Sequence, residues 1–109
     1  MRTLKFIVDK QLITQDPTCD FSGLVPGTNG YVLACFSFSP EWDGCKKVVG
    51  FYSMMGTEYP PQWLKDGKTC AIPAEALVNK TFKMKVFGKK GDYKITTNKI
   101  KIVQNGGAV

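Results

Sequence analysis

The sequence predicts an all-β fold: a single antiparallel, immunoglobulin-like β-sandwich of about eight short strands, with one short helical turn near residues 73–78. Three observations predict it. Apolar residues recur at every second position through 32–38, 82–86 and 100–102, the repeat that lines one face of a strand. Glycine, proline, asparagine and aspartate gather between those stretches, at 16–29, 42–44 and 88–92, where turns need them. Only 73–78 has the composition of a helix.

Taken in order, residues 3–9 put Leu4, Phe6 and Val8 on one side and Lys5 on the other, a half-buried strand. Residues 11–14 form a weaker strand that pairs locally or runs on from the first. The stretch 16–29 holds Asp-Pro, Val-Pro-Gly and Asn-Gly with only Phe21, Leu24 and Val25 to pack, and reads as a loop. Within it Pro26-Gly27 suits a type II turn, because glycine takes the positive φ without steric cost.

The chain is organised around 30–44. Val32, Ala34, Phe36 and Phe38 face one way, and Tyr31, Leu33, Cys35 and Ser37 the other. The second face is only partly polar, so a central strand covered on both sides is expected. Pro40 ends it, and Trp42-Asp43-Gly44 turns the chain back into a return strand at 46–53, with Trp42 plugging that end of the core. Residues 54–62 cannot be a central strand, since Pro60 and Pro61 supply no ladder donors. Residues 63–65 and 68–72 flank Asp66-Gly67, a pair favoured in two-residue hairpins, and are expected to pair with each other. Pro73 suits the first helical position of 73–78. In the last third, Phe82, Met84 and Val86 alternate with Lys83, Lys85 and Phe87. After 88–92 the chain returns through 93–97, and Ile100 and Ile102 then alternate with Lys99 and Lys101. That is a hairpin continued by one more strand, apolar inside and lysine outside.

With 109 residues the chain is long enough for one domain, expected at 1–104 with a frayed tail at 105–109. The longest apolar run, 31–36, falls far short of the roughly 20 residues a membrane helix needs. Residues 1–9 lack the apolar stretch of a signal peptide, so a soluble protein that is not exported is expected. Four cysteines (19, 35, 45 and 70) show no C-x-x-C spacing, and histidine is absent, so no metal is expected. Buried free thiols are the expected state, with Cys35 mid-strand and Cys70 between Thr69 and Ala71.

The net charge of +6 is unevenly placed. From Lys80 onward stand eight lysines against the single Asp92, whereas 1–79 hold seven basic and eight acidic residues. The lysines at 83, 85, 99 and 101 fall on outward positions of the expected strands. They read as a solvated face that discourages edge pairing, as a docking surface for an acidic protein, or as a nucleic-acid contact. Nucleic acid is the least favoured reading, because Arg2 is the only arginine and arginine dominates base and bidentate phosphate contacts. Phe51, Tyr52, Met54, Met55, Tyr59 and Trp63 crowd a proline-broken segment, so they either cap the sandwich end or form a protein contact. No catalytic residue is expected: the commonest general base is missing, and no phosphate loop or nucleophile elbow appears. No cofactor is expected either.

The succession FSFSPEWDG (36–44), KKVVGF (46–51), CAIPAEAL (70–77), FKMKVFG (82–88) and ITTNKIKI (95–102) resembles a small β-domain of tailed phages of Gram-positive bacteria. That domain occurs at the N-termini of upper-baseplate and tail-fibre proteins and in capsid-associated proteins. The resemblance spans about residues 4–103. It implies a non-enzymatic virion component, located in the virion after assembly in the host cytoplasm, that docks on other virion proteins. The major capsid protein is the favoured partner and a tail or baseplate protein the second, with no membrane and self-association left open. A capsid decoration protein is the leading expectation and a tail or baseplate adaptor the alternative; a phage-encoded inhibitor or nucleic-acid-binding protein comes third. Two departures stand out. Baseplate relatives carry a long C-terminal extension for trimerisation and host binding that these residues do not include. Cys45 stands where a larger apolar residue is expected.

Overall fold

The computed structural model describes residues 1–105, so the expected tail lies outside the described residues except for Asn105. In chain order the strands are β1 (Arg2–Asp9), β2 (Leu12–Gln15), β3 (Val32–Phe38), β4 (Lys46–Tyr52), β5 (Glu58–Trp63), β6 (Thr69–Ala71), β7 (Thr81–Lys90), β8 (Tyr93–Thr96) and β9 (Ile100–Val103). A 3-10 turn, Pro40–Trp42, follows β3, and one turn of helix, α1 (Ala74–Leu77), precedes β7. Pro73 sits one position earlier than expected, at the N-cap of α1.

The strands form the expected sandwich. The first sheet runs β2-β1-β3-β6, and the second runs β5-β4-β7-β8 with β9 also on β7. One pairing departs from the all-antiparallel expectation: β1 and β3 lie parallel, Arg2 opposite Val32 through Val8 opposite Phe38. The long loop 16–31 makes this pairing reachable, because parallel neighbours need a crossover rather than a tight turn. β2 pairs locally with β1. Leu4, Phe6, Val8, Ile13, Val32, Ala34 and Phe36 from one sheet meet Val49, Phe51, Phe82, Met84, Val86, Ile95 and Ile102 from the other, all buried.

Two expected hairpins are crossovers instead. β3 and β4 belong to different sheets, so the turn at 40–44 carries the chain across the core rather than back beside itself. Trp42, fully buried as expected, fills that corner: its indole N–H donates to the Lys10 carbonyl at 2.8 Å and its ring lies 5.2 Å from Phe38. Likewise β5 pairs with β4 and β6 with β3, so Asp66-Gly67 bridges the sheets. The Asp66 carboxylate accepts the amides of Lys68 and Thr69 at 3.0 and 2.7 Å, which builds the turn locally without any strand pairing across it. A turn signature fixes a change of direction; it does not choose the strand's partner.

β3 is interior to its sheet, but its outer face is uncovered. Leu33 and Cys35 are half-buried and Ser37 is exposed, which corrects the expectation of cover on both sides. All four cysteines are free; Cys45 and Cys70 are buried, while Cys19 and Cys35 are only half-buried. Burial, with a smaller push from the Asp66 carboxylate, drives the Cys70 thiol pKa up to about 12. The proline-bearing β5 is an edge strand, where missing donors are tolerated.

Candidate functional site

The outer face of the second sheet gathers most of the predicted surface residues. Alternation along β7 buries Phe82, Met84 and Val86 and turns Lys83, Lys85, Phe87 and Lys89 outward. The register then lays side chains in rows across the strands. Lys46, Lys89 and Lys94 form one row. Trp63, Val48, Phe87 and Thr96 form the next, spanning β5, β4, β7 and β8. Farther along come Gly50 with Lys85, and then Glu58, Tyr52, Lys83 and Lys101. Lys99 completes the set with its ammonium 4.2 Å from the Tyr52 ring centroid. The face thus carries seven lysines (46, 83, 85, 89, 94, 99 and 101), with Glu58 at its edge.

Aromatic rings and ammonium groups are interleaved here. Lys85 lies 5.2 Å from the Phe87 centroid, as Lys99 does closer over Tyr52, so both cations rest partly on ring faces. Tyr52 is 8% exposed and lies flat across Gly50: a Cβ on that glycine would come 2.5 Å from the Tyr52 hydroxyl oxygen. Glycine is what lets the ring lie down. Burial raises the Tyr52 phenol pKa above its ordinary value, and the Glu58 carboxylate adds to the shift.

The predicted interaction residues divide into three sets. Phe51 is fully buried and Tyr52 nearly so, which corrects the expectation that both are surface contacts. Phe51 points inward because it shares a face with Val49, and a sequence cannot show which of two adjacent aromatics the pleat turns in. Tyr59 is half-buried, packs on the core and accepts a hydrogen bond from the Asn79 amide at 3.0 Å. Met54 and Met55, at the tip of the β4–β5 hairpin, are 42% and 95% exposed, and Trp63 is 60% exposed. The two methionines continue the Tyr52 end of the lysine face. Trp63 belongs to the opposite end, about 13 Å away by strand rise.

Sequence reading missed Val48, Lys46, Lys89 and Lys94 as parts of this surface, whereas alternation along β7 already places Phe87 on the lysine side of its strand. Only cross-strand register shows that Val48 and Trp63 stand beside it. Together with Gly88, Lys90, Asp92 and Thr96 they line a groove of about 800 Å³.

The shifted carboxylates lie elsewhere and have local work. Asp16 and Asp20 accept hydrogen bonds from the amides and hydroxyls of Thr18 and Ser22, which hold their pKa values below the ordinary carboxylate range. Asp66 is lowered by the Lys68 and Thr69 amides and Glu41 by the Ser39 hydroxyl. These groups build turns, whereas the outer face of the second sheet presents a charged, ring-studded surface. No family model, no curated protein and no solved structure matches this chain.

Proposed function

We propose that this chain is a non-enzymatic structural component of a phage particle that decorates the capsid by docking on its acidic proteins. The carrying observation is the gathering of charge: seven lysines share one sheet face, with the Glu58 carboxylate only at its edge. A rigid sheet presenting ammonium groups in fixed rows complements an acidic protein surface. The exposed Met54–Met55 tip adds an apolar contact at the end of that face. The resemblance of 36–44, 46–51, 70–77, 82–88 and 95–102 to small domains of phage structural proteins supports the same reading.

Each exposed ion pair contributes only about 0.2–1 kcal/mol. Retention of one copy therefore needs several of these pairs acting together with the apolar tip. Mass spectrometry and cryo-electron microscopy of washed particles test the proposal. Density for this fold on the capsid shell is expected. Density confined to the tail would make it an adaptor there, and absence from particles would reject a structural role. The double variant Lys83→Glu/Lys101→Glu is expected to lower incorporation roughly tenfold if each reversal costs about 0.7 kcal/mol. Full incorporation of that variant would remove the lysine face from the contact.

A further inference from the structure

The Lys46 end of the lysine face differs in chemistry from the rest. Trp63, Val48 and Phe87 stand side by side on three adjacent strands and floor the 800 Å³ groove, with Lys46, Lys89 and Lys94 in the neighbouring row. Trp63 is 60% exposed, a large apolar surface left in water beside three ammonium groups. A uniformly anionic partner would satisfy the lysines and leave the indole unused.

We infer that this groove anchors an acidic, extended segment of a partner protein. One aromatic or aliphatic side chain of that segment rests on Trp63 and Val48, and carboxylates farther along the segment, across β4, β7 and β8, meet Lys46, Lys89 and Lys94. The inference rests on the docking reading above and names the partner's chemistry. Carboxylates on one face of an extended chain recur about every 6.8 Å, and adjacent strands are about 4.8 Å apart, a difference that the long, flexible lysine side chains can span. Buried aromatic anchors supply most of the energy of such interfaces, and the surrounding charges supply orientation.

The same surface fits single-stranded nucleic acid less well. Stacking along a strand of bases needs a succession of bare rings, and here Lys85 covers Phe87 and Lys99 covers Tyr52, which leaves Trp63 alone. The chain's one arginine is engaged far away, with Arg2 donating to the carbonyls of Asp20 and Ser22.

The test is fluorescence anisotropy of labelled polymers titrated with the full chain at low salt. The polymers are poly-L-glutamate, a random copolymer of glutamate and tyrosine, and oligothymidylate of matched charge. The copolymer is expected to bind about tenfold more tightly than polyglutamate. Trp63→Ala should erase that preference while leaving polyglutamate binding within about twofold, and Lys89→Ala/Lys94→Ala should weaken both. Trp63→Phe, which keeps a ring on the edge strand, should retain part of the preference. Equal affinity for the two acidic polymers, an unchanged preference in Trp63→Ala, or no binding to either would overturn the inference. Tighter binding to oligothymidylate than to the copolymer would do so too and would assign the face to nucleic acid. The outcome is separable from that of the particle experiment. Copolymer selectivity in a chain missing from particles keeps the groove and removes the virion role, and the reverse result does the opposite.

Discussion

Gly88 occupies the point where β7 passes under the indole of Trp42. A Cβ there would come 2.7 Å from two carbons of the six-membered ring and 3.1 Å from the Ile95 side chain. The obstacle is the rigid body of a fully buried tryptophan, not a flexible chain end, so the clash cannot be relieved cheaply. Gly88→Ala is expected to destabilise the fold by about 1–3 kcal/mol in urea unfolding. In a Trp42→Phe background the same change should cost clearly less, because the opposing ring atoms are gone; additive costs would contradict the contact. Cys70 gives a second prediction at this scale. Its thiol pKa of about 12 lies above that of an unfolded cysteine, so the folded state holds the proton where the unfolded state has lost it. Stability from this group is therefore complete below the unfolded thiol's pKa of about 8.5 and is lost as pH rises toward 12. Cys70→Ala should flatten that alkaline decline in thermal melts. In native alkylation near pH 8, Cys70 should be labelled well after the half-buried Cys19 and Cys35.

At the scale of elements, β7 is the spine of the second sheet. It takes β4 along one edge and divides the other between β8, at Phe87–Lys90, and β9, at Thr81–Met84. The gap between them is closed by Thr97, whose amide donates to the Val86 carbonyl while its hydroxyl accepts the Val86 amide at 3.0 Å. The next residue, Asn98, ties this edge to the other sheet: its side-chain oxygen accepts the Ile13 amide at 2.9 Å, and its own amide donates to Gln11. One side of the sandwich is thus held by a side chain acting as a ladder rung. Asn98→Ala leaves the partly buried Ile13 amide unpaired and is expected to cost about 1–3 kcal/mol. Hydrogen exchange should show faster loss of protection at Ile13 than in β3 or β7. Equal protection in variant and parent would rule out this bridge.

For the whole molecule, charge and pH act together. The lowered carboxylates Asp16, Asp20, Glu41 and Asp66 contribute stability that is present above their ordinary pKa values and is lost as pH falls through about 4 and below. Acid unfolding is therefore expected to begin in the turns at 16–22, 39–41 and 66–69. Replacing Asp16 and Asp66 with asparagine should shift the acid midpoint upward only if those hydrogen bonds are not what the carboxylates supply; a reduced pH dependence is the expected result. Docking through the lysine face should track the protonation of the partner's carboxylates and weaken with salt.

What the sequence by itself determined is the class of fold and the facing of its clearest strands. The period of two fixes which residues share a face, so Phe82, Met84 and Val86 inside and Lys83, Lys85 and Phe87 outside were legible in β7. The burial of Trp42 and the looseness of 16–29 were legible too, from a bulky ring at a strand's end and from a scarcity of apolar residues. The hairpin of β7 and β8 was legible as well, but partnership elsewhere was decided only by the tertiary structure. β3 and β4, and likewise the segments around Asp66-Gly67, look like hairpins because a turn separates two strand-like runs, yet each pair is split between the sheets. The choice depends on where the core can accept another strand, a long-range packing question with no local signature. The groove has the same origin: Trp63, Val48 and Phe87 are far apart in the chain, and only cross-strand register sets them side by side.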